Sequence, residues 1–280
     1  MSDHWTERKQ PCLLERRFEF NGYAELRDFL DQAAALSETD CAHWYRSLLV
    51  PETAVVAFVG DIDGERAREV AERLFGDLPP APAPQPAFAA PQQPVSPGVH
   101  VLRKKDLKQA VTFVGYTAPP MLTDDAVALD VLNGVLAGLG GRLFVELRDK
   151  RSLGYMTGSA FNSLHARSVF FGYANPAPDR VDEAVDVIQA ELAKATKELV
   201  TETEFERSRE WLIGSQLMQL QRNGSQATAY GTFEALGFGY GVVERTPDLI
   251  RAVTRERIRD AAAGVFIPEN AVIVKLLPAE

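Results

Sequence analysis

Eight prolines crowd into one stretch, at positions 79, 80, 82, 84, 86, 91, 94 and 97, separated mostly by alanine and glutamine. Each lacks a backbone N–H and fixes its own φ, so the stretch can neither continue a helix nor serve as a central strand. It is predicted to run as an extended, polyproline-like connector over 79–98. A first piece, about 1–78, lies on one side and a second, about 99–280, on the other. A chain of 280 residues has room for two domains, or for one domain and a sizeable fragment.

The second piece reads as a complete α+β domain. Val99–Arg103, Gln109–Thr117, Tyr155–Ser163, Ser168–Ala174 and Ala271–Leu277 have strand character, and the fourth is rich in aromatics. Helices are predicted from about Thr123 to Leu139, over Arg142–Lys150, and from Asp179 to about Leu199. The last places Val181, Val185, Ile188, Leu192, Ala195 and Leu199 on one stripe. Thr201-x-x-Glu204 is a capping-box signal for a helix running to about Arg222. This pattern predicts a largely antiparallel sheet with helices packed on one face.

The chain also repeats itself. Pro51-Glu52-Thr53-Ala54-Val55-Val56-Ala57-Phe58-Val59 aligns without a gap on Pro268-Glu269-Asn270-Ala271-Val272-Ile273-Val274-Lys275-Leu276. Upstream, Leu36-Ser37-Glu38-Thr39 mirrors Val253-Thr254-Arg255-Glu256. Each copy spells a capped helix, a short break, a proline and a buried strand, which marks a duplication. The offset is 268 minus 51, or 217, so the strand opening at Val99 would have its counterpart at 99 minus 217, or −118. The opening part of the first copy is therefore expected to lie outside this chain. The first piece keeps predicted helices at Tyr23–Ala35, Ser37–Leu48 and from Gly64 to Phe75, and a strand at Ala54–Val59.

The run from Gly140 to Tyr155, Gly-Gly-Arg-Leu-Phe-Val-Glu-Leu-Arg-Asp-Lys-Arg-Ser-Leu-Gly-Tyr, is the strongest functional signal. A glycine pair opens a short amphipathic helix that delivers Arg148. A tight connection at Gly154 then leads to Tyr155 at the head of a strand. A guanidinium fork beside a neutral O–H donor suits a peptide carbonyl or the oxyanion that develops from it. On the residues alone, Arg148 can equally pair with Glu146, Asp149 or the helix end, and Tyr155 can be an ordinary strand aromatic.

This run closely resembles the second-repeat signature of the pitrilysin/insulinase-type zinc peptidases, the inverzincins, which include the mitochondrial processing peptidase. Gly141 stands where many members have serine. The resemblance implies an α+β fold of the mitochondrial processing peptidase type and a peptide or polypeptide substrate. It also implies that Arg148 and Tyr155 steady the substrate at a zinc site carried by a different repeat. There, a metal-bound water attacks the scissile carbonyl of a peptide added to a sheet edge.

Inverzincins hold zinc through His-x-x-Glu-His on a helix. The histidines here are His4, His43, His100 and His165, and none lies four residues from another. His4-Trp5-Thr6-Glu7-Arg8 is the nearest imitation, but a guanidinium cannot donate a lone pair to zinc. The helix before the glycine pair carries Asp124, Asp125, Asp130 and Asn133 but no histidine. No metal ligand is assigned to this chain. Zinc is expected in the missing half or in a partner subunit. The glycines at 231, 237, 239 and 241, interleaved with Tyr230, Phe233, Phe238 and Tyr240, read as a loop that packs helices. Asn162 reads as a surface residue of its strand.

A formal net charge of −9 and a pI near 5.1 argue against a nucleic-acid partner. Two cysteines, Cys12 and Cys41, cannot make a disulfide framework. The charged N-terminus is not a secretory signal, and the longest apolar segment is too short to span a bilayer, so a cytoplasmic location is expected. The expected function is the substrate-binding, non-zinc half of a metalloendopeptidase, inactive alone. It would be paired with a zinc-bearing half or subunit, or assembled as a homodimer. The alternative is a catalytically inactive scaffold or peptide-binding subunit.

Overall fold

The computed structural model describes residues 5–9, 12–16, 27, 31, 34–48, 50–80, 96–105 and 107–279. Two compact units divide the chain: residues 1–54 with 68–85, and residues 55–67 with 86–280. Most of the proline-rich stretch, 81–95, lies outside the described residues, as does most of the predicted helix Tyr23–Ala35.

In the larger unit five strands form one sheet: β3 (Gly98–Lys104), β4 (Val111–Ala118), β5 (Thr157–Asn162), β6 (Ser168–Ala174) and β7 (Val272–Pro278). Their order is β3-β7-β4-β6-β5. Among the described residues only the β3–β7 ladder is parallel; β7–β4, β4–β6 and β6–β5 are antiparallel. The chain can insert β7 beside β3 because the whole helical layer intervenes between them, the long crossover a parallel pair needs.

Alternation along β4 and β6 sends Thr112, Val114, Tyr116 and Ala118, with Phe170 and Ala174, to one buried face. The helices Asp124–Leu136 (α3), Val181–Ala195 (α4) and Arg255–Val265 (α8) pack there. Phe266 closes the core, its ring 5.0 Å from Phe170 and 5.3 Å from Tyr116. On α4 the predicted stripe is buried from Val181 to Ala195, and Leu199 falls beyond the helix. Glu202–Gln219 (α5) begins with the predicted Thr201–Glu204 capping box. Asn223–Ala235 (α6) and Val242–Arg251 (α7) complete the unit's long helices.

In the smaller unit, Trp5–Lys9 (β1) and Cys12–Arg16 (β2) form an antiparallel hairpin that the sequence reading did not predict. The duplication recurs in the helix, its cap and the turn that follows it. Helix Glu38–Leu48 (α1), shifted by 217, coincides with α8. Ser37 Oγ accepts from the Asp40 amide at 3.2 Å, as Thr254 Oγ1 accepts from the Arg257 amide at 3.1 Å. Thr53 and Ala54 donate to Val50 and Pro51, just as Asn270 and Ala271 donate to Ile267 and Pro268.

Three expectations need correction. Ala54–Val59 is not a strand: no strand of the described residues supplies it with ladder partners, and Val55, Val56 and Phe58 stay partly exposed. A strand exists only through its neighbours, and β7 has two. The helix over Arg142–Lys150 is not one regular α-helix but a helical turn, Arg142–Phe144, running into a π-turn, Val145–Asp149. Tyr155 precedes its strand, which starts at Thr157, and sits in a bend. The helix Gly64–Phe75 (α2) matches its expected bounds.

Candidate functional site

Thr123 caps α3, accepting from the Ala126 amide at 3.2 Å, and the helix is buried on nearly every side. It stops at Ala137 because the glycines that follow turn the chain sharply. A Cβ on Gly141 would lie 2.2 Å from the Ala137 carbonyl oxygen, so only glycine fits there. The next turn buries Leu143 and Leu147 as anchors. From Val145 the helix widens: the Lys150 amide donates to Val145 O at 3.0 Å, a five-residue step.

The return is fixed by Leu153, buried, whose amide donates to Leu147 O at 2.7 Å, and by Gly154 at φ 146°. A side chain at 154 would press into Asn175, 2.8 Å from both its carbonyl and its Oδ1. Tyr155 follows, 72% exposed.

These turns bring the two predicted residues together. Arg148 Cζ lies 4.5 Å from the centre of the Tyr155 ring and 4.9 Å from that of Phe144. Among the described residues no carboxylate comes within 4 Å of Arg148. Glu146 turns instead to Lys150 and Arg151, each at 2.5 Å, and those two cations hold its carboxyl down at about 2.

The neighbouring helix α3 carries Asp124, Asp125, Asp130 and Asn133, as the sequence requires. Asn133 Oδ1 accepts from Ser159 Oγ at 2.8 Å and so ties α3 to β5. Burial pushes the Asp130 carboxyl up to about 6. Among the described residues no three His, Cys, Asp or Glu side chains gather closely enough to hold a metal ion. The imitation motif begins at His4, outside the described residues, and its Trp5–Arg8 portion lies on strand β1 and not on a helix.

Three contributors escaped the sequence reading. Phe144 was visible only as part of the Arg-Leu-Phe core, with no role attached. Arg142 binds Glu204 through two bonds of 2.7 Å, which joins the glycine turn to the start of α5. Asn175 accepts from the Met156 amide and donates to Gln109. The Asn175-Pro176 pair ending an aromatic strand was the available signal for a turn-forming residue. The glycine-rich segment packs helices as expected, with Gly237 and Gly239 at positive φ and Phe238 ringed by Phe233 and His165. Asn162 is exposed at the end of β5.

The model of the peptidase M16 inactive domain matches residues 35–212, more than half of the sequence. The chain belongs to this family. An uncharacterized zinc protease of Bacillus subtilis is 24% identical over 223 residues, covering 79% of this chain and 53% of that protein. An uncharacterized zinc protease of Mycobacterium leprae is 27% identical over 237 residues, covering 83% and 53%. Among solved structures, a protease from Helicobacter pylori superposes with a TM-score of 0.78 at 23% identity, covering 89% of this chain and 61% of that one. The M16 chain thus spans about half the length of the two relatives. No helix of the described residues is long and apolar enough to cross a membrane.

Proposed function

We propose that this M16 inactive-type domain is the substrate-holding, metal-free half of a zinc endopeptidase, and that Arg148 and Tyr155 meet the peptide. The observation that supports this reading is the state of Arg148: a cation held over two aromatic rings with no carboxylate beside it. Such a guanidinium keeps its N–H donors for an incoming oxygen. The adjacent phenol adds a neutral donor at an exposed position, so the pair can receive a peptide carbonyl and follow it as negative charge develops.

The described residues do not fit a zinc ion, so this reading assigns the metal to a first repeat or to a separate subunit. It also keeps 79–98 as the connector between a partial first repeat, 1–78, and the second, 99–280, and sets the protein in the cytoplasm. With a zinc-bearing half restored, Arg148→Ala and Tyr155→Phe should each lower peptide turnover by about 100-fold without moving the melting temperature. Turnover equal to the parent in both variants would refute the assignment. The chain alone should hold no stoichiometric zinc, which metal analysis measures.

A non-catalytic scaffold or peptide-binding subunit is the second reading, favoured by the family's description as an inactive domain. The same reconstitution separates the two. A scaffold leaves turnover of the zinc half indifferent to both substitutions.

A further inference from the structure

Where the end of α3 meets α5, a cavity of about 290 Å³ opens beside the glycine turn. Asn133 on α3 and Arg207 and Trp211 on α5 line it, together with Gly138 and Gly140. Arg207 and Trp211 stand four positions apart, on one face of their helix. A Cβ on Gly140 would lie 3.2 Å from Arg207 Nη1, so the guanidinium rests against bare backbone. Among the described residues the lining holds one cation and no carboxylate. Arg207 has neither an ion pair nor a hydrogen bond with any of them. The carboxylates within one turn of it on α5 are engaged elsewhere, Glu204 by Arg142 and both Glu206 and Glu210 by Arg209. Asn133 uses its Oδ1 to accept from Ser159 and keeps its Nδ2 donors unspent. The Gly138 and Gly140 amides donate to no carbonyl of the described residues.

We infer that this cavity binds a carboxylate, carried by the C-terminus or by an acidic side chain of a peptide. That the ligand is a peptide rests on the reading given above. The carboxylate follows from the lining alone, to which neither Arg148 nor Tyr155 belongs. A guanidinium presents a planar fork that matches the two oxygens of a carboxylate, and an unpaired one keeps both prongs for the ligand. The Asn133 carboxamide adds neutral donors for the same oxygens. One positive charge balances a monoanion, whereas a dianion such as phosphate would keep a surplus charge on a chain already at −9. The Trp211 indole, 61% exposed, supplies an apolar wall for the carbons that carry the acid. A lysine or arginine finds only a like charge there.

The test is fluorescence anisotropy on the full chain with four labelled, alanine-based peptides. One is neutral, with an amidated end and a central Gln. The second replaces that Gln by Glu, the third by Lys, and the fourth keeps Gln but ends in a free carboxylate. The better of the two carboxylate peptides should bind about tenfold tighter than the neutral one, and which of them it is identifies the source. The net charge of −9 would by itself favour the Lys peptide, so a preference for carboxylate reports the cavity. Arg207→Gln alters an exposed side chain, should leave the melting temperature in place and should abolish the advantage. Asn133→Asp keeps the acceptor for Ser159, adds a negative charge and should abolish it too. Equal affinity for carboxylate and neutral peptides, tightest binding of the Lys peptide, an advantage that survives Arg207→Gln, or no binding up to about 1 mM would overturn the inference. An advantage lost in Arg207→Gln, while Arg148→Ala and Tyr155→Phe bind like the parent, would uphold the cavity and count against the pair. Affinity for all four peptides that falls in those two variants, with no carboxylate advantage in the parent, would do the reverse.

Discussion

Asn175 holds the backbone one residue beyond Tyr155: its Oδ1 accepts from the Met156 amide at 2.7 Å. Its Nδ2 donates to Gln109 Oε1 at 3.0 Å, so a single side chain links the bend of the Arg148–Tyr155 pair to the loop entering β4. Asn175→Ala should cost about 1 kcal/mol of stability and weaken peptide binding at the pair. Asn175→Asp keeps the acceptor for Met156 and should retain more of that binding. Melting curves with anisotropy measure both effects, and an alanine variant that binds like the parent removes Asn175 from the positioning of Tyr155.

Glu204 serves two structures at once, the cap of α5 and the clamp on Arg142. The Arg142 guanidinium, more than the cap, draws its carboxyl from 4.5 down to about 2. A depressed carboxylate contributes stability above its ordinary value and loses it as pH falls toward the depressed one. Glu204→Gln preserves a capping acceptor and breaks the ion pair. At pH 7 it should be less stable by about 1–2 kcal/mol, a gap that closes between 4.5 and about 2. Chemical denaturation across that window checks the sign, and a gap that does not change with pH counts against the clamp.

Asp130 has the opposite sign. Burial lifts it from 3.8 to about 6, so the folded state binds the extra proton within that window and stability declines as pH rises through it. Asp130→Asn should match the parent below pH 3.8 and exceed it at neutral pH by up to about 3 kcal/mol. Paired urea titrations at the two pH values measure the difference. An asparagine variant less stable than the parent at pH 7 would show that the carboxylate has a buried partner.

Helices α3 and α5 approach at Gly134 and Ser208. A methyl on Gly134 would fall 2.1 Å from Ser208 Oγ, which itself donates to Val131 O at 2.6 Å. Gly134→Ala should destabilise by about 2 kcal/mol or more, and adding Ser208→Gly should recover part of that loss. Additive losses in the double variant would mean the two positions do not share this contact.

What was legible follows the range of the interactions involved. Local rules read the Thr201 cap, the α4 stripe and the span of β6 directly from the sequence, since each depends on residues a few positions apart. The pairing of Arg142 with Glu204 spans 62 positions and leaves no local trace. Ala54–Val59 has the composition of a strand, yet pairing decides strands and its side chains carry no record of the neighbours. The Arg148–Tyr155 proximity was suggested by spacing, while the widened turn and the support from Asn175 depend on chain geometry that spacing cannot encode.

The π-turn changes how Arg148 is phased. Counting the segment by ordinary helical steps would rotate the guanidinium onto another flank, away from Tyr155. What evolution or a designer must preserve between Gly141 and Gly154 is therefore the number of residues as well as the buried anchors Leu143, Leu147 and Leu153. Excising a single one would tighten the coil and swing the cation out of alignment while every functional side chain was still present.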